Sequence, residues 1–274
     1  MLNKKYEKLL GILRETGGVA VAFSGGVDSA FLLYAAQQAL GDKVLAVTVT
    51  TPYIPQWEIK EAREMAAESG VEHVVIDLPF PVEIRTNPAD HCYTCKKLLF
   101  TQLWEAARER GYKYLLDGTN VDDLGDYRPG LKALAELDVM SPLKDAGLTK
   151  QDIRDLSKLY GLPTWDKPSF ACLLSRMPVD EYVTDEALRR TEEAEVLLMH
   201  QGFKAVRVRS HGDIARIEIP RDQLHDFVAA NEVAGIHARL KDLGYRHVTL
   251  DLGGYSMGSQ NPESATAEGV NNAE

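Results

Sequence analysis

The sequence predicts an α/β protein: a parallel sheet with helices on both faces, followed by a small α+β domain. Three observations carry this. Short apolar runs alternate with helical patterns through the first two-thirds of the 274 residues, an order that calls for parallel strands joined by crossover helices. The first apolar run leads directly into a glycine turn and a helix, as a strand-turn-helix unit does. Past a Gly- and Pro-containing break, the order changes to helix, two alternating strands, helix and strand.

Met1-Leu2-Asn3-Lys4-Lys5-Tyr6-Glu7-Lys8 leads into an amphipathic helix and lacks the apolar core of a signal peptide. Residues 19–23, 43–49, 73–77 and 112–117 read as strands, with helices near 28–40, 56–69 and 94–110. In parallel sheets ligands bind at the carboxyl ends of strands, where the glycine turn lies. Residues 149–160 form another helix, opened by a Thr149 cap with Asp152 at the third helical position, a variant of the capping box. Gly161-Leu162-Pro163-Thr164-Trp165-Asp166-Lys167-Pro168 breaks regular structure. It sets the expected boundary between a domain of residues 1–167 and one of residues 168–258. In the second domain, residues 184–201 read as a helix capped by Thr184, and residues 204–209 and 213–219 as strands. Ser210-His211-Gly212 between those strands is a hairpin signal. Residues 223–243 are mainly helical and residues 247–252 form a last strand. Residues 259–274 are polar and are expected to be a disordered tail. Trp104 and Trp165 read as core aromatics.

A formal charge of −10 argues against a broad electrostatic footprint for tRNA or DNA. No long uncharged apolar run is present, so no membrane span is expected. Three cysteines without an export signal point to the cytoplasm and to reduced thiols or a metal.

The glycine turn is Ser24-Gly25-Gly26-Val27-Asp28-Ser29, directly after Val19-Ala20-Val21-Ala22-Phe23. Its glycines allow a tight turn whose N–H groups approach a ligand, and its polar residues stand at a helix start, where an anion is favoured. A phosphate site follows. No Gly-Lys-Ser or Gly-Lys-Thr is spaced as in a Walker loop. The segment resembles instead the PP-loop of the ATP-pyrophosphatase superfamily. That resemblance implies an adenine nucleotide alpha hydrolase-like, Rossmann-like fold that holds ATP by its pyrophosphate and activates a carbonyl or carboxyl oxygen with AMP.

Cys92 and Cys95 form a CxxC at a helix start, and Cys172 lies in Pro168-Ser169-Phe170-Ala171-Cys172-Leu173-Leu174-Ser175-Arg176. Two thiolates at that spacing suit a redox pair, half a zinc site or part of an iron–sulfur site. The helix start and Lys96 and Lys97 favour thiolates. Three cysteines match a 4Fe–4S cluster with one iron open, and a thiol or persulfide relay, zinc, or inert buried cysteines are the alternatives.

The glycine turn, Leu116-Asp117-Gly118-Thr119-Asn120, Asp126-Tyr127-Arg128-Pro129-Gly130, and Lys167-Pro168-Ser169 through Ser175-Arg176 resemble the LarE family of ATP-dependent sulfur transferases. Val206-Arg207-Val208-Arg209, Asp213-Ile214-Ala215-Arg216-Ile217-Glu218 and the ending Tyr245 through Tyr255 do so too. The likeness spans essentially the whole chain apart from the tail. It implies conversion of pyridinium-3,5-biscarboxylic acid mononucleotide to its bisthiocarboxylate, precursor of the nickel-pincer nucleotide used by lactate racemase and its relatives. Mg-ATP would adenylate a carboxylate, and sulfur would then displace AMP. One branch of the family has a single cysteine and gives up its own sulfur. Cys92, Cys95 and Cys172 make this chain similar to the three-cysteine branch, in which a cluster carries an added sulfide. Sacrifice of Cys172 is the competing route.

The resemblance also implies roles. Ser24, Gly25, Gly26, Val27, Asp28 and Ser29 would cradle ATP phosphates, Asp28 as a magnesium contact. Thr48 and Thr50 would approach adenosine. Asp117, Gly118 and Thr119 end a strand and would contact nucleotide or substrate. Asp122, Asp123 and Asp126 would hold metal or be solvated, and Arg128 would meet phosphate charge or form a surface ion pair. Ser175, Arg176, Arg207 and Arg209 match positions for the mononucleotide phosphate, which the planar arginine fork suits. Arg207 and Arg209 are two apart on a strand and so share a face. Glu195 and Asp226 match positions near substrate or metal. The first domain would be the PP-loop ATP-pyrophosphatase domain and the second the substrate-binding and oligomerisation domain of a homo-oligomer, linked in function to lactate racemase maturation proteins. A tRNA thiolase, an amide-forming PP-loop ligase and a nucleotide or metal sensor are the alternative classes.

Overall fold

The computed structural model describes residues 2–125 and 130–255. Asp126, Arg128 and the expected disordered tail lie outside the described residues. The described residues divide into two compact units, residues 2–84 with 89–125 and 130–170, and residues 85–88 with 171–255.

The first unit contains α1 (Leu2–Thr16), β1 (Val19–Ala22), α2 (Val27–Leu40), β2 (Val44–Thr50), α3 (Gln56–Ser69) and β3 (Glu72–Asp77). It continues with α4 (His91–Glu109), β4 (Leu115–Leu116), α5 (Gly130–Glu136), α6 (Pro142–Asp145) and α7 (Lys150–Leu159). The four strands run parallel in the order β3-β2-β1-β4. Strand periodicity splits the core. Val19, Val21, Val44 and Ala46 pack with α1, α2 and α7 on one face, while Ala20, Leu45, Val47 and Val49 pack with α4 on the other. Both central strands are therefore apolar at nearly every position, as burial on two faces requires.

β4 is shorter than the 112–117 expected. Among the described residues its outer side makes a single bridge, Leu116 to Met140, held by the Met140 N–H to Leu115 O bond (3.0 Å) and the Asp117 N–H to Met140 O bond (2.9 Å). Trp104 is a core residue, its indole donating to the Leu137 carbonyl at 2.7 Å. Trp165 is not, being 38% exposed with Lys158 Nζ 4.4 Å from its ring centroid; an exposed face stacked by a cation replaces core burial.

The second unit contains α8 (Asp185–His200), β5 (Arg207–His211), β6 (Ile214–Glu218), α9 (Leu224–Ala234), α10 (Ile236–Asp242) and β7 (His247–Leu250). β5 and β6 are antiparallel, and β6 and β7 parallel. His211 pairs with Ile214, so the turn is Gly212-Asp213, with Gly212 at φ 57°. The helical stretch expected at 223–243 is two helices, because Gly235 takes φ 61°, ψ 37° and a left-handed residue ends a helix. Among the described residues no helix is long and apolar enough to cross a membrane.

α7 opens with a complete capping box. Asp152 N–H donates to Thr149 Oγ1 at 3.1 Å, and Thr149 N–H donates to Asp152 Oδ2 at 3.0 Å. Lys5 Nζ of α1 adds a bond to the same oxygen at 2.5 Å. Burial by itself raises the Asp152 pKa, but the hydrogen bonds from Lys5 and Thr149 outweigh it and hold the carboxyl below its ordinary value. Thr149→Ala is expected to cost about 1 kcal/mol. The stabilisation from Asp152 is present above the unfolded-chain pKa of about 3.9 and is lost as pH falls through the lower folded value. Urea midpoints of wild type and Asp152→Ala, taken down a pH series, should therefore converge at acid pH; a constant gap contradicts this account.

Candidate functional site

The glycine turn joins β1 to α2 at the carboxyl end of the sheet. Gly25 takes φ +70°, a conformation that favours glycine, and a β-carbon there would also crowd Ala62 Cβ on α3 at 3.1 Å. Ser24 Oγ and Ser29 Oγ are 3.1 Å apart, and the Gly26 N–H faces Ser24 Oγ at 3.4 Å. Gly26 is the N-cap of α2 and receives no side-chain cap bond. One side of the turn thus presents hydroxyls and a backbone N–H at a helix start, donors that fit an ATP phosphate.

Asp28 in the first turn of α2 is held on both oxygens. Asn120 Nδ2 donates to Oδ1 at 3.2 Å, and Lys150 Nζ lies 2.5 Å from Oδ2. Magnesium usually takes one or two carboxylates plus substrate phosphates, so Asp28 fits a Mg–ATP contact, with Lys150 now occupying that oxygen. Gly118 approaches closely, where a β-carbon would lie 3.1 Å from Asp28 Cβ and 3.2 Å from Ser29 N. Its role is thus to let the β4 loop pack on the start of α2. Asp117 is buried, its carboxylate accepting from Thr119 Oγ1 and, at 2.6 Å, from Ser141 Oγ.

Thr48 is 3% exposed, and its hydroxyl is engaged by the Phe23 carbonyl at 2.5 Å and His73 Nε2 at 2.8 Å. It braces the strand ends. Burial, reinforced by Arg63, lowers the His73 pKa. Thr50 bonds Gln56 and lines a cavity of about 470 Å³ with Thr51, Arg63 and Asp77 at the carboxyl ends of β2 and β3. Asp122 Oδ2 and Asp123 Oδ2 accept from the Lys150 and Asn120 N–H groups.

Cys92 and Cys95 lie in the first turns of α4, three apart and so on one face. Cys92 is exposed, with Sγ 3.4 Å from His91 Nε2; Cys95 is half-buried, with Sγ 3.3 Å from the Tyr53 hydroxyl. Lys97 pairs with Glu136 on α5 at 2.8 Å. Among the described residues no three His, Cys, Asp or Glu side chains form a group that could hold a metal ion.

In the second unit a polar cluster is buried beneath β5. Arg176 is 1% exposed and forks onto Glu195 of α8 at 2.9 and 3.1 Å. Its Nη1 donates to the Ala171 and Cys172 carbonyls and to Ser175 Oγ. Arg209 forks onto Glu218 of β6 at 3.0 and 2.8 Å and donates to the Ser175 carbonyl. Arg207 donates to the Val206 carbonyl at 2.7 Å and lies 4.8 Å from the Tyr255 ring centroid. Burial, then the neighbouring Arg176, lowers its pKa. Three buried guanidinium groups thus lie among the carboxylates of Glu195 and Glu218, and Arg216 reaches Glu218 as well, at 3.2 Å. Asn87 pins the Cys172-to-Arg176 turn by donating to the Leu174, Met177 and Pro178 carbonyls. Asp226 stands apart, 78% exposed on α9 beside His225.

Asn120, Lys150, Lys167, Ser141, Asn87 and Glu218 belong to these clusters and were not singled out as site residues from sequence. Glu218 carried a signal, since it follows Arg216 by two on a strand opposite Arg207. Lys150, by contrast, reaches Asp28 only through the fold.

A protein of Lactiplantibacillus plantarum named pyridinium-3,5-bisthiocarboxylic acid mononucleotide synthase is 37% identical over 270 residues, covering 97% of each chain. The chain belongs to that synthase family, the LarE family. As a member, it is an ATP-dependent sulfurtransferase enzyme. An uncharacterised protein of Synechocystis is 38% identical over 264 residues, covering 95% of this chain and 98% of that one. A family model described as queuosine biosynthesis protein QueC matches residues 18–94, which include the glycine turn. A glutamine-hydrolysing GMP synthase component of Pyrococcus abyssi is 29% identical over 225 residues, 74% of this chain and 71% of that one.

The Arg176–Glu195 pair sets an expectation for this family member. Glu195→Gln leaves a buried guanidinium without its counter-charge and should destabilise the protein by about 3–5 kcal/mol. A denaturant midpoint equal to wild type would show that the pair contributes no stability.

Proposed function

We propose that this enzyme uses Mg-ATP to adenylate the carboxylates of pyridinium-3,5-biscarboxylic acid mononucleotide and converts them to thiocarboxylates for a nickel-pincer nucleotide of lactate racemase-like enzymes. The observation that carries the substrate choice is the buried cluster of Arg176, Arg207 and Arg209 around Glu195 and Glu218. In a chain related along its whole length to the named synthase, buried guanidinium groups suit the phosphate of a mononucleotide. Ser175, tied into the cluster by both its hydroxyl and its carbonyl, would orient that phosphate.

In the first unit Ser24, Gly26 and Ser29 would hold the β- and γ-phosphates and Asp28 the magnesium. The substrate carboxylate oxygen would attack the α-phosphorus, and the α–β bridge would break with loss of pyrophosphate. A sulfur nucleophile would then add at the acyl carbon and expel AMP. Cys92, Cys95 and Cys172 would supply the sulfur chemistry. Thiolates suit an iron–sulfur site, and Cys92 and Cys95 share one helix face, so the donor chemistry of that pair fits part of such a site. A 4Fe–4S cluster on these three would leave one iron open to an added sulfide. The setting would be the reducing cytoplasm, the assembly a homo-oligomer. The GMP synthase relatives favour an amide-forming ligase as second reading, but at lower identity and over less of the chain.

Incubated with ATP and the biscarboxylate mononucleotide, the enzyme should release AMP and pyrophosphate by phosphorus NMR; ADP and orthophosphate would refute the reading. Arg207→Ala should raise KM for the mononucleotide by about tenfold to a hundredfold, as loss of a charged hydrogen bond does, with the ATP KM little changed. Anaerobically reconstituted protein should hold about four irons per chain, and Cys92→Ala, Cys95→Ala and Cys172→Ala should each abolish iron binding and repeated turnover. Activity surviving in the first two, with loss of one hydrogen sulfide from the wild-type protein mass, would establish sacrifice of Cys172 instead.

A further inference from the structure

Lys167 follows the irregular segment after α7 and returns its ammonium to the glycine turn. Its Nζ donates to the Gly25 carbonyl at 3.0 Å and to Glu61 Oε2 of α3 at 2.7 Å. The side chain is 14% exposed and its Nζ lies 5.5 Å from the Trp57 ring centroid. Gly25 sits between Ser24 and Gly26, and its φ of +70° places it where only glycine is at ease. A Gly-Gly peptide has little steric barrier to rotation as a plate, so its orientation must be set from outside. In a planar trans peptide the carbonyl and the next residue's N–H point in opposite directions. Anchoring the Gly25 oxygen therefore aims the Gly26 N–H away from Lys167, toward the side where Ser24 Oγ and Ser29 Oγ lie together.

We infer that Lys167 is a positioning residue: it clamps the Gly25–Gly26 peptide so that the Gly26 N–H is presented, with the two serine hydroxyls, to the pyrophosphate portion of ATP. Glu61 on α3 holds the clamp in place. The same helix presses Ala62 against Gly25, so one helix fixes the turn both by packing and through the lysine. The inference rests on the reading of this turn as the ATP phosphate site. Because the anchor acts on the peptide and not on the nucleotide, its effect exists before any ligand binds.

The test compares wild type, Lys167→Met and Lys167→Arg. Calorimetry would use α,β-methylene-ATP with magnesium, whose α–β bridge cannot be cleaved, and adenosine as a probe without phosphates. Lys167→Met, which keeps the length but loses the ammonium, should weaken α,β-methylene-ATP by about tenfold or more and leave adenosine unchanged. Lys167→Arg, still able to donate to the Gly25 oxygen, should recover most of the loss. In ligand-free, nitrogen-15-labelled protein the Gly26 amide signal should shift and exchange faster in Lys167→Met only. An unmoved Gly26 signal, or equal losses for both ligands, would overturn the clamp. Failure of the wild type to bind α,β-methylene-ATP would instead overturn the ATP reading of the turn.

Discussion

Gly25 is held at φ +70°, where a β-carbon would crowd Ala62 at 3.1 Å, and much of the first unit is arranged around that contact. The turn lets β1 run into α2 without a spacer, which brings the helix N-terminus to the carboxyl edge of the sheet. Gly118 repeats the constraint from the next strand, closing on Asp28 and Ser29. Two close backbone approaches thus converge on one helix start, and the polar groups around them are left to meet a ligand. The N–H groups of a helix start are unsatisfied within the helix, so a phosphate there gains both hydrogen bonds and a favourable dipole.

The charges on the two units follow different logic. At the glycine turn the pair of Lys150 with Asp28 is partly exposed and exchangeable, a cation resting on a carboxylate. Such pairs contribute little net stability, and can be rearranged when a more highly charged ligand arrives. Beneath β5 the groups are buried and forked, with Arg176 and Glu195 at 0% and 2% side-chain exposure. There the loss of one partner strands the other in low dielectric. Forks of this kind keep the guanidinium groups of Arg176 and Arg209 fixed in place.

Much of the architecture was legible in the chain because its signals were local. The 3.6-residue and two-residue periods marked α3 at its observed bounds and the central strands within a residue or two. Thr149 and Thr184 marked helix starts because a cap is a contact between residues three apart. The misreadings have equally physical causes. β4 lost most of its expected length because pairing is a property of two chains, and its outer neighbour meets it at a single bridge. The helix at 223–243 broke at Gly235 because a left-handed residue cannot continue the helix. Trp165 looked like core from its size but lies under Lys158 at the surface.

The sequence by itself determined the order of elements, the place of the glycine turn, the arginines that share a strand face and the identity of the thiols. Each of those depends on residue type and short spacing. Tertiary structure alone decided what each charge meets. Asp28 is bonded by Asn120 and Lys150, which lie 92 and 122 positions away, and Lys167 reaches Gly25 across 142. Thr48, which reads as a nucleotide contact, has its hydroxyl engaged by Phe23 and His73 across 25 positions. Hydrogen bonds act over about 3 Å of space and are indifferent to distance along the chain. Partners of this kind therefore become visible only once the sheet has brought its carboxyl ends together.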